Sequence, residues 1–91
     1  MAYGTIMEFD VDLETHRAII EAAGEDSIQG LIVHAAAPSE AGVRCIDMWE
    51  TKADSDRFFA ERLMPALASL EIAGGPPVSF EELDLPVLLR G

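Results

Sequence analysis

His34 stands in an otherwise apolar run, with Leu31, Ile32 and Val33 before it and three alanines after it. An imidazole in such a run must find a hydrogen-bond partner or stay neutral. In a pocket it could act as a general base on a phenol or an activated C–H; the structural alternative is a core histidine with its hydrogen bonds satisfied. Asp47 is the second candidate, an acid among the apolar neighbours of Val43 to Glu50. Burial raises a carboxyl pKa unless a cation or donor is near, so Asp47 reads as a poised acid or an orienter of His34. Its alternative is a structural acid pairing with an arginine or a backbone amide. The candidate catalytic residues are thus His34 and Asp47. The candidate substrate-binding residues are Tyr3, Met7, His16, Trp49 and Phe59, with Phe9 beside them. Trp49 could stack on an aromatic ligand, and all of these could equally be core.

Two further residues bear on chemistry. His16 could join His34 in a two-imidazole metal site with Asp47 or Glu50, but no ligand spacing such as H-E-x-x-H is present, and neither a metal nor a cofactor is expected. Cys45 has no cation in its local sequence to lower its pKa and reads as inert. The chain has no glycine-rich phosphate loop and no nucleophile elbow.

These residues must be positioned by a hairpin. Gly30 to Ala37 and Val43 to Glu50 read as two strands joined by Pro-Ser-Glu-Ala-Gly turn chemistry. A four-residue loop, Ser39 to Gly42, sets Pro38 opposite Val43 and His34 opposite Asp47. A five-residue loop sets His34 opposite Ile46 and sends Asp47 to the other face. Only the first register makes a His-Asp dyad.

Around the hairpin, Ala2 to Phe9 alternates as a strand. Asp12 is an N-cap for a helix from Leu13 to about Ala23, ended by Gly24, with His16 on its apolar stripe. Thr51, with Asp54 three residues on, caps a second helix from Lys52 to about Leu70. Its stripe is Phe59, Leu63, Leu67 and Leu70, widened by Phe58; Arg57 and Glu61 are spaced to pair. Pro65 predicts a kink or restart. Gly74-Gly75-Pro76-Pro77 is a breaker, and Val78 to Leu85 is a last strand whose apolar phase slips, which predicts a β-bulge near Glu81-Glu82. Val87-Leu88-Leu89 is an apolar tail that docking on a partner subunit would hide.

The order β-α-β-β-α-β gives an α+β, ferredoxin-like fold: a four-stranded antiparallel sheet with two helices on one face, as a single domain over residues 1–91. Strands apolar on both parities, as at Leu31-Ile32-Val33 and Cys45-Ile46, require the helix-free face to be covered as well. With 49% apolar residues in 91, the chain has more apolar surface than one small core hides. A homodimer, its two sheets packed face to face into a dimeric α/β barrel, is the expected answer.

The formal charge of −11, from 17 acids against six basic residues, argues against nucleic acid and against an anionic membrane surface. No run approaches a membrane span or a signal peptide, and one cysteine excludes an intrachain disulfide. A reducing cytoplasm is the expected compartment.

The element order and several segments resemble the dimeric α/β-barrel superfamily, in particular small proteins like the antibiotic-biosynthesis monooxygenases. These segments are Leu31-Ile32-Val33-His34-Ala35-Ala36, the turn ending in Gly42, Asp47-Met48-Trp49-Glu50-Thr51, Phe58, Arg62-Leu63 and Pro65-Ala66-Leu67. The resemblance implies one small-molecule pocket per subunit, between sheet and helices. Members oxidise aromatic polyketides without metal or flavin, degrade haem, isomerise lactones, or have no known activity. The haem-degrading pattern is not met, with no Asn early in the first strand and no His after the second helix. The Asn-Trp-Tyr set of the polyketide oxygenases is not met either, since Trp49 lies in a strand and Tyr3 is the only tyrosine. The expected function is a homodimer with an apolar pocket that binds a hydrophobic aromatic or polyketide-like molecule, and in its catalytic form oxidises or isomerises it without cofactor. The alternative is a non-catalytic ligand-binding or structural dimer.

Overall fold

A computed structural model describes residues 2–72 and 76–91. Strand β1 (Ala2–Phe9) is followed by helix α1 (Leu13–Ala23), strands β2 (Leu31–Pro38) and β3 (Val43–Trp49), and helix α2 (Lys52–Phe58). A π-helical turn (Phe59–Leu63), helix α3 (Met64–Ser69) and strand β4 (Ser79–Leu85) complete the chain. The sheet order is β2-β3-β1-β4, with every neighbouring pair antiparallel. This is the ferredoxin-like arrangement, with the helices on one face. Gly74 and Gly75 of the expected breaker lie outside the described residues.

Both helix starts form as their sequences require. Asp12 accepts from the Thr15 amide at 2.7 Å, and Thr51 accepts from the Asp54 amide at 3.1 Å. α1 ends on Gly24 at φ 87°, a left-handed conformation open to a residue without Cβ. Arg62 then locks that end: its guanidinium donates to the carbonyls of Ala23, Gly24 and Asp26 at 2.9, 2.8 and 3.1 Å. One planar fork thus satisfies carbonyls that a helix C-terminus leaves orphaned.

The sheet has two unlike faces. Along β3, Val43, Cys45, Asp47 and Trp49 point toward the helices, and Arg44, Ile46 and Met48 point away. The deepest core is the first set, Val43, Cys45 and Trp49, closed by Ile19 and Ala23 of α1 and Ala66 of α3. Trp49 meets Phe58 ring to ring at 5.4 Å. The helix-free face carries Gly4 and Ile6 of β1, Ala35 and Ala37 of β2, Ile46 and Met48 of β3, and Leu83 and Leu85 of β4.

Three local expectations are corrected. β4 pairs with β1 without interruption from Ala2–Leu85 to Glu8–Ser79, so no bulge forms at Glu81-Glu82. The phase slip instead records that Phe80 and Leu83 serve opposite faces of an edge strand. The irregularity lies in β2, where Leu31 pairs with Trp49 and Val33 with Met48, leaving Ile32 as the extra residue. Arg57 turns back to Asp54 at 2.9 Å rather than forward to Glu61. At Pro65 the second helical segment restarts as expected: Pro65 stands in the first turn of α3, where its missing amide costs least, directly after the π-helical turn. That wider turn also changes the phase of the apolar stripe, so Phe59 and Leu70 are 43% and 39% exposed while Leu63 and Leu67 stay half-buried.

Candidate functional site

The hairpin takes the register that makes a dyad. Ser39 and Gly42 exchange backbone hydrogen bonds at 3.0 and 3.1 Å, Pro38 faces Val43, and His34 faces Asp47. Gly42 is required there: at φ 143° a Cβ would collide with the carbonyl oxygens of Phe9 and Val11, which pack against the turn. His34 Nδ1–H donates to Asp47 Oδ1. Across the gap, α1 lowers His16 onto the same spot. The two Nε2 atoms are 3.1 Å apart, with the rings stacked at 27° and their centroids 5.2 Å apart. Cys45, two residues before Asp47 on the same face, places Sγ 3.9 Å from His16 Nε2.

Asp47 fixes how this chain of groups holds protons. A carboxylate accepting from Nδ1–H leaves Nε2 of neutral His34 with a lone pair, which accepts from Nε2–H of His16. The hydrogen bond to Asp47 raises the pKa of His34 against the opposing effect of burial. Burial lowers that of His16, and the neighbouring His34 adds to the depression. A single proton entering the pair therefore rests on His34. Burial, with the Asp47 charge beside it, pushes the Cys45 thiol up to about 11.

These groups form one wall of a cavity of about 640 Å³ between the sheet and the helices. Its lining is otherwise mostly apolar: Met7 and Phe9 of β1, Ile19 and Ile20 of α1, Leu31 and Trp49 of the hairpin, and Phe58, Phe59, Leu63, Met64 and Leu67 of the second helical segment. The volume is typical of a small-molecule site. The Trp49 indole N–H is buried without a hydrogen-bond partner among the described residues.

Of the residues singled out in the sequence, His34, Asp47, His16, Met7, Trp49 and Phe59 all line this cavity. Tyr3 does not. It shares the sheet face of Asp47 but lies toward β4, where its hydroxyl donates to Glu82 Oε2 at 2.6 Å, and burial and that carboxylate raise its pKa. Cys45 is buried with a raised pKa, as an inert thiol should be, and its place in the cavity wall is what local sequence did not indicate. Its parity with Asp47 was the available signal, since two residues apart on a strand means the same face.

No family model matches the chain, and no curated protein does. Among solved structures, it is similar to a protein of Chloroflexus aurantiacus J-10-fl assigned as an antibiotic biosynthesis monooxygenase. The TM-score is 0.73 at 15% identity, covering 100% of this chain and 98% of that one. It is also similar to a monooxygenase of Streptomyces coelicolor solved in complex with nanaomycin D, with a TM-score of 0.51 at 19% identity, covering 99% and 91%. Across its whole length, then, this chain has the ferredoxin-like fold found in antibiotic-biosynthesis-monooxygenase-like structures.

Proposed function

We propose that the protein is a homodimer that binds a hydrophobic aromatic or polyketide-like molecule in each subunit and oxidises it without a cofactor. The observation that carries this reading is the cavity of about 640 Å³ with the His34–Asp47 pair in its wall. A core filled by side chains would have favoured a purely structural protein. The complex of the Streptomyces coelicolor monooxygenase with nanaomycin D supports the choice of ligand class.

In this mechanism the ring of the substrate lies against Trp49, Phe58 and Met7, and a substrate oxygen accepts from the unpartnered indole N–H. The substrate proton passes to the His16–His34 pair and rests on His34, where Asp47 stabilises the imidazolium. Water exclusion by the apolar lining keeps the base effective. The resulting carbanion gives its electrons to dioxygen; for an anthrone, one oxygen atom enters the ring as a ketone and the other leaves as water. The second copy covers the helix-free sheet face, where Ile46 is 37% exposed in the single chain.

The test is oxygen uptake with anthrone- or quinol-like compounds. Turnover by the wild-type chain, lost in His34→Ala, is the expected result; turnover unchanged in that variant would remove the base assignment. A second reading, a non-catalytic ligand carrier, is favoured by the engagement of His34 Nε2 with His16 at 3.1 Å, which leaves the base no free lone pair until a ligand displaces it. Tight binding of the same compounds without oxygen uptake would select it.

A further inference from the structure

We infer that His16, His34 and Cys45 form a three-ligand site for one divalent ion of the zinc class, opening into the cavity. The ligand atoms are already gathered: Nε2 to Nε2 is 3.1 Å, Sγ to His16 Nε2 is 3.9 Å, and all three atoms lie within 4.8 Å of one another. Tetrahedral zinc, with Zn–N of about 2.0–2.1 Å and Zn–S of about 2.3 Å, needs separations of about 3.4 Å between nitrogens and about 3.6 Å between nitrogen and sulfur. The Nε2–Nε2 and Sγ–His16 separations are within a few tenths of an ångström of those values, and the third, from Cys45 Sγ to His34, lies within 4.8 Å and closes by a side-chain rotation.

The surroundings fit as well. Asp47 receives Nδ1–H of His34 and so presents Nε2 as the ligand, the carboxylate–histidine–metal arrangement that fixes tautomer and ring orientation. Imidazole and thiolate donors select zinc over magnesium or calcium. Cys45 is 2% exposed and shielded from bulk oxidants, and the chain's net charge of −11 favours a cation. All three ligands line the cavity, leaving a fourth position for water or for an oxygen of the cavity's occupant. Binding proceeds by loss of the Cys45 thiol proton to solvent and a shift of the His16 proton from Nε2 to Nδ1; no electron is transferred. The ion takes the lone pairs that proton abstraction uses, so zinc inhibits any turnover that depends on His34.

The experiment is a titration of the chelator-treated full chain with Co²⁺ under a non-thiol reductant, with no substrate present. The expected result is one cobalt per chain, four-coordinate visible bands, and a near-ultraviolet thiolate-to-cobalt band that Zn²⁺ displaces. Cys45→Ser should remove the near-ultraviolet band, Asp47→Asn should weaken affinity about 10- to 100-fold, and His16→Gln, which removes a ligand, should weaken it at least as much. A wild-type chain that shows no thiolate band at millimolar cobalt overturns the site, as does a band that survives Cys45→Ser. Because the titration contains no substrate, it stands apart from the oxygen-uptake assay: either can fail while the other succeeds.

Discussion

The two faces of the sheet are built from the same alternating strands and yet differ in kind. Toward the helices, β3 presents Cys45, Asp47 and Trp49, and the space above them is an apolar cavity with one cluster of polar groups at its wall. On the opposite face it presents Ile46 and Met48, flanked by Ala35, Ile6 and Leu83, with charge confined to Arg44, Glu8 and Glu81. The first face has concavity and titratable groups, which is what chemistry on a small molecule needs. The second has apolar area, which is what a second copy of the chain would need. A strand that is apolar on both parities therefore need not be core on both. One parity lines a pocket, and the other presents the apolar area on which the proposed dimer would close.

Substitutions that strike one face and spare the other test this division. Ile46→Asp should have the largest effect. An isologous interface would bury two carboxylates without partners, at several kcal/mol each, and self-association should weaken roughly a thousandfold or more. Sedimentation reads it, and a chain that stays monomeric before the substitution as well as after it ends the interface assignment. His34→Ala should come next, lowering turnover by about 10²- to 10⁴-fold, the usual contribution of a general base, while the sedimentation profile is unchanged. If each variant fails in both assays, the faces are not independent and the division is wrong.

Arg62→Lys acts on the support of the cavity side. A lysine cannot make the fork that holds the carbonyls of Ala23, Gly24 and Asp26, so stability should fall by about 1.5–3 kcal/mol in denaturant unfolding. Because α1 carries His16, the loss should also loosen the cavity wall, whereas the dimer should persist. A change below a few tenths of a kcal/mol would show that the helix end is held by other contacts.

The smallest effect belongs to Tyr3. Burial and the Glu82 carboxylate raise its pKa in the folded chain above the ordinary 10.0, so the folded state keeps a proton that the unfolded chain has released. The resulting stability is complete below pH 10.0 and is lost as the pH rises through the folded-state value. Ultraviolet titration of this sole tyrosine should show a late midpoint that Glu82→Gln brings down. An unchanged midpoint in that variant would assign the shift to burial and the Asp56 charge.

Much of the molecule was readable from the chain. Asp12 and Thr51 mark the two helix starts by chemistry that acts within three residues, and the strands follow from alternation at period two. The hairpin offered two registers, and packing of Phe9 and Val11 onto Gly42 belongs to the one adopted. Inference failed where the backbone departs from a regular period. The extra residue in β2 at Ile32 and the π-helical turn before Pro65 both shift phase in ways local periodicity does not record. Tyr3 was placed in the pocket because its parity is right. Position along the strand, which parity does not encode, put it outside: Met7 and Phe9 line the cavity from the same β1, and Tyr3 stands at its other end.

By itself, the sequence determined the kinds of element, their order and their caps, because these depend on local backbone preference and on burial patterns along one strand or helix. Only tertiary structure decided that His16 meets His34 and that Cys45 joins them, eighteen and twenty-nine residues from His16 along the chain. The reason is geometric: a contact between a helix and the sheet beneath it depends on how far the helix stands off and how it is turned. Here those quantities are set by the grip of Arg62 on the end of α1 and by side chains that leave the layer between helices and sheet unfilled.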